Sequence, residues 1–214
     1  MKKIAFFGGT GGLGSKIIPF LDDTKYKIET IGSSKVDLFN EETIHNYFQT
    51  NNPDIIILFS NYNFNSFLHK YVNSFNELDK QIDINIKGIL KCLSYSLDYM
   101  RKNNYGRIIL ASSITVEKNV IGTSLYAATK AFYENIVKTI CLENASKNIT
   151  ANCIQLGYMD GGLTYTLPEE FINNKIKEIP SQRLGTPKEI ANTLGYLIEN
   201  NYINGTTVKL TGGL

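Results

Sequence analysis

Short apolar runs alternate along the chain with longer segments in which apolar residues recur at helical spacing. The apolar runs, which predict buried β-strands, cover residues 3–7, 27–31, 54–60, 107–113, 149–155 and 206–210, with a further short candidate at 35–38. The helical segments span residues 12–21, 41–51, 76–102, 124–147 and 187–200. Strands alternating with helices are typical of a parallel sheet covered on both faces. We therefore predict an α/β fold with a Rossmann-type doubly wound parallel sheet of about seven strands.

The chain shows no sign of being divided into several units. No segment repeats at a fixed period, and no low-complexity linker interrupts the pattern. Hydrophobic residues make up 43% of the sequence, which is enough for a packed core. We expect residues 1–214 to form one domain. Pro19, late in the first helical segment, is expected to kink or shorten that helix because proline lacks a backbone N–H.

Charge and composition exclude several classes of function. Twenty-two Lys and Arg face twenty Asp and Glu, and no block of like charge suggests binding to nucleic acid or to a membrane surface. The start "MKKIAFFGG" is too short for a signal-peptide core and no long apolar run follows, so we expect a cytoplasmic protein. Three scattered cysteines and two histidines suggest neither a disulfide framework nor a metal site.

A glycine-rich segment, "FFGGTGGLGSKII", joins the first predicted strand to the first helix. Gly8, Gly12 and Gly14 fit the spacing G-x-x-x-G-x-G, and Gly8, Gly11 and Gly14 fit the variant G-x-x-G-x-x-G. Such glycines permit a tight turn and a close approach of the backbone to a pyrophosphate. A plain strand-to-helix turn is the alternative, but five glycines in seven residues exceed what a turn needs. We predict dinucleotide contacts from Gly8, Thr10, Gly11, Gly12, Leu13 and Gly14.

The residues after the second strand bear on which dinucleotide binds. NAD sites usually carry a carboxylate there, about twenty residues after the glycines, to bind the ribose 2′-hydroxyl. This chain has Ser33, Ser34 and Lys35, which suit a 2′-phosphate, so NADP(H) is favoured over NAD(H). A solvated polar turn is the alternative, because the strand end is uncertain and Asp37 lies nearby. We assign Asp37, in "VDLF", to the adenine amino group.

Tyr126 and Lys130 stand four residues apart in a predicted helix and therefore share one face. This spacing alone is common by chance in a chain with 13 tyrosines. The strand "GRIILASS" ends at Ser113, so that Ser113 and Tyr126 can meet at the carboxyl edge of the sheet. A catalytic site is favoured when these residues are taken together with the glycine-rich turn, although each alone would suit an ordinary structural role.

The sequence resembles the short-chain dehydrogenase/reductase family, in the branch that includes the 3-oxoacyl-carrier-protein reductases. The resemblance runs essentially end to end and rests on the motifs "GGTGGLG", "LFSNYN", "DINIKG", "GRIILASS", "YAATKA", "ANCIQLGYMDGG" and "RLGTPKEIANTLGYLI". It implies an NAD(P)-binding Rossmann domain over residues 1–214. It places Asn85, Ser113, Tyr126 and Lys130 in the family's catalytic tetrad, and it implies further cofactor contacts from Leu38, Asn61, Tyr126, Lys130 and Gly157.

The chemistry open to these residues is the interconversion of a ketone or aldehyde and an alcohol. A free tyrosine has a pKa of about 10, which an adjacent ammonium such as Lys130 would lower. Tyr126 would exchange the proton while Ser113 holds the substrate oxygen. The resemblance further implies that Lys130 binds the nicotinamide ribose and that Asn85 supports a proton-supplying water chain. A catalytically idle, cofactor-binding sensor or scaffold is the alternative. A nucleotide-sugar epimerase or dehydratase uses a related tyrosine and lysine but carries a large C-terminal substrate lobe. A chain of 214 residues leaves no room for such a lobe, so this function is not favoured.

Several positions depart from the family pattern, namely Phe7, Tyr62, Asn63 and Leu156. They affect the expected cofactor affinity more than the chemistry. The loop after Gly157 is shorter than is usual in this branch, which predicts an open site or one completed by a neighbouring subunit. Within residues 160–179, Tyr165, Leu167 and Phe171 are expected to make apolar substrate contacts.

The two longest helical segments carry more apolar residues than one sheet face needs. These residues include Leu93, Leu97, Phe132 and Ile136, which could equally all belong to the core. In the family that the sequence resembles, the two helices form a dimer interface. We therefore expect a homotetramer or a homodimer.

Overall fold

The computed structural model describes residues 1–214 and contains a six-stranded, wholly parallel sheet. Its strands are β1 (Lys2–Phe7), β2 (Tyr26–Ile31), β3 (Ile55–Leu58), β4 (Gly106–Ser113), β5 (Ile149–Leu156) and β6 (Thr207–Leu210). Their order across the sheet is β2-β1-β3-β4-β5-β6. The predicted fold class is confirmed, with six strands where about seven were expected.

Helices cover both faces of this sheet. They are α1 (Gly14–Ile17), α2 (Glu41–Thr50), α3 (Phe75–Ile82), α4 (Ile89–Asn103), α5 (Ser124–Asn144), α6 (Glu169–Glu178) and α7 (Pro187–Glu199). Buried residues of α2, α4 and α5 pack on one face, and those of α1 and α7 pack on the other. None of the helices combines the length and the apolar character needed to cross a bilayer.

The strand predicted at residues 35–38 does not form. The backbone N–H groups of Lys35 and Val36 both donate to the carbonyl of Gly32, and the Asp37 carboxylate accepts from the N–H of Phe39. These bonds fold the segment into consecutive turns. Because β2 is the edge strand, no neighbouring strand is available to compete with them.

The first helix is short, as Pro19 predicted. α1 ends at Ile17, and the chain continues as one 3-10 turn over Ile18–Phe20. Proline offers no N–H for the next helical bond, and its ring conflicts with the preceding turn. The glycine-rich segment is therefore followed by less than two turns of α-helix.

The long helix predicted at residues 76–102 is divided in two. Between α3 and α4 lies a π-helical turn, Asp83–Gly88, which includes Asn85. A π turn inserts an extra residue into the helical ladder and is frequent at functional sites. Its effect is to change the angular position of the side chains that follow, which the apolar periodicity of the sequence did not indicate.

The core lies on both sides of the central strands. Ile4 and Phe6 face α1 and α7, while Ala5 and Phe7 face α2 and α4. Phe6 and Phe7 are fully buried, and each contributes about 1.5–3 kcal/mol by removing its ring from water. Since all strands are parallel, their carboxyl ends meet at one edge, where ligands bind in such sheets.

Candidate active site

A cavity of about 1170 Å³ opens at the carboxyl edge of the sheet. Its volume exceeds the roughly 300–1,000 Å³ of most small-molecule sites, so it has room for a dinucleotide and a substrate together. Predicted site residues on its wall are Gly8, Thr10, Gly11, Gly12, Leu13, Gly14, Ser33, Asp37, Leu38, Asn61, Ser113, Tyr126, Lys130 and Gly157. Ser34, Lys35 and Asn85 do not line it.

The glycine-rich turn is shaped by close backbone contacts. Gly8 has φ +86°, which favours glycine, and a Cβ on Gly14 would lie 2.1 Å from the Gly8 carbonyl oxygen. The backbone N–H groups of Gly12 and Leu13 donate to no protein acceptor. Two unpaired donors at a cavity wall suit an anion such as a pyrophosphate.

The turn after β2 lies at one end of the cavity. Ser33 lines the wall, whereas the Lys35 ammonium forms an ion pair with Glu29 of β2. Asp37 also lines the wall, and its carboxylate accepts a hydrogen bond from the N–H of Phe39 at 3.0 Å. Of Ser33, Ser34 and Lys35, which were predicted to favour NADP(H), only Ser33 therefore lies on the cavity wall.

Two asparagines after β3 carry buried polar atoms without a partner. Neither the amide nitrogen nor the oxygen of Asn61 has a hydrogen-bond partner, and the same holds for the oxygen of Asn63. Both residues line the cavity. An unsatisfied buried amide costs about 1–3 kcal/mol, and a bound ligand with polar edges would remove that cost. These amides and the glycine-rich turn fit the adenosine and phosphate parts of a dinucleotide.

Lys130 lies beside Tyr126 inside the cavity, as the spacing predicted. The Lys130 ammonium donates to the Ala111 carbonyl at 2.9 Å and lies 5.5 Å from the centroid of the Tyr126 ring. It also lies 4.6 Å from the centroid of the Tyr133 ring. Only 3% of Lys130 is exposed, so its position is fixed by α5 and the end of β4.

Burial dominates the acid–base properties of this pair. Removal from water lowers the pKa of Lys130 to about 7, because the ammonium is penalised in the protein interior. Burial also raises the pKa of Tyr126 above its usual value, and a hydrogen bond with Ser113 opposes this rise. In the protein alone, the loss of hydration therefore outweighs any lowering of the Tyr126 pKa by Lys130.

Ser113 ends β4 and its hydroxyl is held by one neighbouring residue. Its oxygen accepts from the backbone N–H of Thr115 at 3.2 Å and from the Thr115 hydroxyl at 3.0 Å. A hydroxyl has two acceptor positions and one proton. With both acceptor positions used, the proton of Ser113 remains available to Tyr126 or to a ligand.

Asn85 lies behind the cavity wall. Its side-chain oxygen accepts from the N–H of Tyr62 at 2.8 Å, and its amide donates to the Tyr62 carbonyl at 2.7 Å. Its backbone carbonyl accepts from the hydroxyl of Tyr133 at 2.7 Å. Asn85 thus fixes the turn after β3, and its backbone carbonyl is engaged by Tyr133.

The loop after β5 crosses the glycine-rich turn. A Cβ on Gly12 would lie 3.5 Å from the Cα of Gly162, and the Lys16 ammonium lies 3.6 Å from the Asp160 carboxylate. The Tyr165 hydroxyl also donates to Asp160, so Tyr165 points away from the cavity. Leu167 and Phe171 line the cavity, whereas Tyr165 does not. Despite its shortness, this loop closes one side of the site.

The sheet is parallel, a glycine-rich turn follows β1, and a serine, a tyrosine and a lysine lie at the carboxyl edge. This arrangement is typical of Rossmann-type dehydrogenases. A family model described as enoyl-(acyl carrier protein) reductase matches residues 30–214. The chain belongs to the short-chain dehydrogenase/reductase family, as its motifs predicted.

Curated relatives include the 3-oxoacyl-[acyl-carrier-protein] reductase FabG of Staphylococcus epidermidis, 33% identical over 140 residues. The corresponding reductase MabA of Mycobacterium tuberculosis is 29% identical over 140 residues. Each match covers 64% of this chain and 57% of the relative. The chain therefore spans little more than half the length of these relatives. A crystal structure of a small-chain dehydrogenase in complex with NADPH shares the fold, with a TM-score of 0.88 at 21% identity, covering 99% of this chain and 97% of that one.

Three residues that shape the site were not identified from the sequence. They are Thr115, which holds Ser113; Tyr133, which bonds to Asn85; and Glu29, which pairs with Lys35. Tyr133 lies seven residues after Tyr126, two helical turns along the same helix, so its position near the pair could have been predicted from helical spacing. The contacts of Thr115 and Glu29 depend on how turns fold and leave no signal in the sequence.

Proposed function

We propose that the protein is an NADP(H)-dependent oxidoreductase that interconverts a ketone or aldehyde and an alcohol. The observation that carries this proposal is the common cavity of Ser113, Tyr126 and Lys130, which also includes the glycine-rich turn. We take residues 1–214 to act as one NAD(P)-binding domain. The names of the relatives support the reaction class, since they are reductases of a 3-oxo group.

Tyr126 and Ser113 act on the substrate oxygen. A bound nicotinamide dinucleotide supplies the hydride. As the carbonyl oxygen gains negative charge, Tyr126 donates its phenolic proton to it, and Ser113 stabilises it through the one proton that Thr115 leaves free. In the opposite direction the Tyr126 phenolate accepts the alcohol proton. The raised pKa of Tyr126 keeps the phenol protonated at neutral pH, which suits reduction.

Lys130 sets the charge next to the phenol. With a pKa of about 7, it is divided between ammonium and amine at neutral pH. Hydrogen bonds from the ammonium to ribose hydroxyls would favour the charged form, and the charge would then stabilise the Tyr126 phenolate. We therefore propose that Lys130 lowers the pKa of Tyr126 mainly once the cavity is filled.

NADP(H) is proposed over NAD(H) from the residues at the adenosine end. Ser33 lines the cavity, and the carboxylate of Asp37, which also lines it, is engaged by the N–H of Phe39. The similar small-chain dehydrogenase was crystallised with NADPH, which agrees with this choice. The ion pair between Lys35 and Glu29 opposes this choice, because it engages the ammonium away from the cavity wall.

Replacement of Tyr126 by Phe tests the enzyme proposal. We expect carbonyl reduction with NADPH to fall by at least about 100-fold, since the general acid is lost, while NADPH binding measured by fluorescence titration is retained. Tyr202→Phe is the matched control, because Tyr202 is fully exposed. A wild-type protein that binds NADPH but reduces no member of a panel of ketones and aldehydes would instead support an idle sensor or scaffold.

We further propose that the chain assembles into a homodimer or homotetramer. Leu93 belongs to the core, and Leu97, Phe132 and Ile136 pack partly against it, so these residues give less support than expected. Better support comes from Leu142 on α5, whose exposed fraction is 85%. A large apolar side chain this exposed on an outer helix suits a contact with a second copy.

A further inference from the structure

The Lys35 ammonium is held on the sheet rather than at the cavity. It forms an ion pair with one carboxylate oxygen of Glu29, and the other oxygen accepts from the Tyr47 hydroxyl at 2.7 Å. Ser33 and Asp37, on either side of Lys35 in the chain, both line the cavity, while Lys35 does not. The one cation of the turn after β2 is therefore engaged by a carboxylate of the protein itself.

Glu29 is the fixed member of this ion pair. Tyr47, on α2, is only 6% exposed, and its ring packs edge-on against Phe7 at a centroid distance of 5.7 Å. Burial alone would raise the pKa of Glu29, but hydrogen bonds from Lys35 and Tyr47 outweigh it and keep that pKa below its ordinary value. Glu29 is thus ionised at neutral pH and anchored by Tyr47, whereas the Lys35 side chain is half exposed and can turn.

We propose that Glu29 is a specificity-determining residue, which competes with the 2′-phosphate of NADP(H) for the Lys35 ammonium and so reduces the preference for NADP(H) over NAD(H). This inference rests on the proposed function. A 2′-phosphate carries up to two negative charges and must draw Lys35 away from Glu29, whose freed carboxylate then repels it. The 2′-hydroxyl of NAD(H) makes no such demand, so Glu29 affects the two cofactors unequally.

Glu29→Gln tests this role, because glutamine keeps the size of the side chain and an oxygen for Tyr47 while removing the charge. Calorimetric titrations would measure the binding of NADPH, NADH and 2′,5′-ADP, which carries the 2′-phosphate without nicotinamide. We expect NADPH and 2′,5′-ADP to bind up to about fivefold more tightly to the variant, with NADH nearly unchanged. In a Lys35→Ala background the same substitution should lose most of its effect.

Glu199→Gln is the matched control, since Glu199 forms an exposed ion pair with Lys25 and its loss changes the net charge equally. Thermal unfolding of each variant checks that it is folded. NADPH binding that is unchanged or weaker in Glu29→Gln overturns the proposal, and so does weaker NADH binding, which would mean that Glu29 binds the ribose. A wild type that binds neither NADPH nor NADH contradicts the proposed cofactor site as well. If both dinucleotides bind and Glu29→Gln leaves the ratio of their affinities unaltered, only the role of Glu29 is contradicted.

Discussion

Lys130 is a basic side chain in a place that favours neutral groups. Its ammonium has one hydrogen bond to a carbonyl, is almost wholly buried and forms no ion pair with a carboxylate. A shift of its pKa from 10.5 to about 7 corresponds to a cost of about 4 kcal/mol in the folded protein at neutral pH. Such a cost is typical of side chains retained for chemistry rather than for stability.

Lys130→Met should therefore stabilise the protein while abolishing reduction. Removing the buried charge gains more than is lost by leaving the Ala111 carbonyl without a donor, so we expect a net gain of about 2 kcal/mol, or roughly 4–8 °C in Tm at pH 7. Differential scanning calorimetry of the wild type and the variant measures this change in Tm.

The pH dependence of the stability gain in Lys130→Met distinguishes removal of the buried charge from better side-chain packing. Because the folded state lowers the pKa of Lys130, the wild type loses stability as pH falls from 10.5 to about 7 and loses no more below that range. The gain in Tm from Lys130→Met should accordingly shrink when pH is raised from 7 to about 9.5. A gain that is the same at both pH values would show that the methionine merely packs better.

The start of α7 is built by a capping box. The Thr186 side chain accepts from the N–H of Glu189, and the Glu189 carboxylate accepts from the N–H of Thr186 at 2.8 Å. Hydrogen bonds from Arg183 and from Thr186 lower the pKa of Glu189 to about 2. This cap fixes the start of α7, whose buried residues pack on the same sheet face as α1.

Glu189→Gln should lower the free energy of unfolding at pH 7 by about 1 kcal/mol. The pKa shift alone would suggest about 3 kcal/mol, but the side chain is 36% exposed and solvent screening reduces the effect. Since the folded pKa is lowered, this contribution is present above pH 4.5 and is lost as pH falls to about 2. Urea unfolding at pH 7 and at about pH 3 checks the trend, with Glu178→Gln in α6 as the control. An equal loss at both pH values would contradict it.

Across the molecule as a whole, the two layers of helices differ in what they leave exposed. Leu142 lies near the end of α5, in the layer formed with α2 and α4, where the Arg101 guanidinium ties α4 to the neighbouring Asn144 at 2.6 Å. Phe20, beside α1 on the opposite face, is 50% exposed. The two side chains allow the faces to be compared by equivalent substitutions.

Leu142→Lys should weaken self-association, because it places a charge in the proposed contact between copies. Light scattering is expected to show the wild type as a dimer or tetramer at micromolar concentration and the variant shifted toward monomer. Phe20→Lys, on the other face, should leave the assembly unchanged. A monomeric wild type would contradict the proposal, and an effect of Phe20→Lys alone would place the contact on the other face.

The apolar pattern predicted most of the fold because it reports burial directly. Strands β1 to β6 and the main helices fall within a few residues of their predicted positions, since each depends on its own sequence of apolar and polar side chains. The strand predicted at residues 35–38 was wrong, because Val36 and Leu38 are buried in turns rather than in a strand. Burial without a pairing partner does not make a strand.

The candidate site was predictable where spacing along one element fixes geometry. Tyr126 and Lys130 share a face of α5, and Ser113 ends the strand beside it, so parallel topology was enough to bring them together. The environment of these groups was not predictable. The sequence suggested that Lys130 lowers the pKa of Tyr126, whereas burial raises the latter and lowers that of Lys130 itself.

By itself, therefore, the sequence determined the order of elements, the glycine-rich turn and the family, because these depend on local patterns and motif spacing. Only the tertiary structure decided that Lys35 pairs with Glu29, that Tyr133 occupies the Asn85 carbonyl and that Asp160 reaches Lys16. Each of these contacts joins residues of different elements whose side-chain directions depend on turns and packing. Charge and hydration at the site follow from such contacts, and no local pattern encodes them.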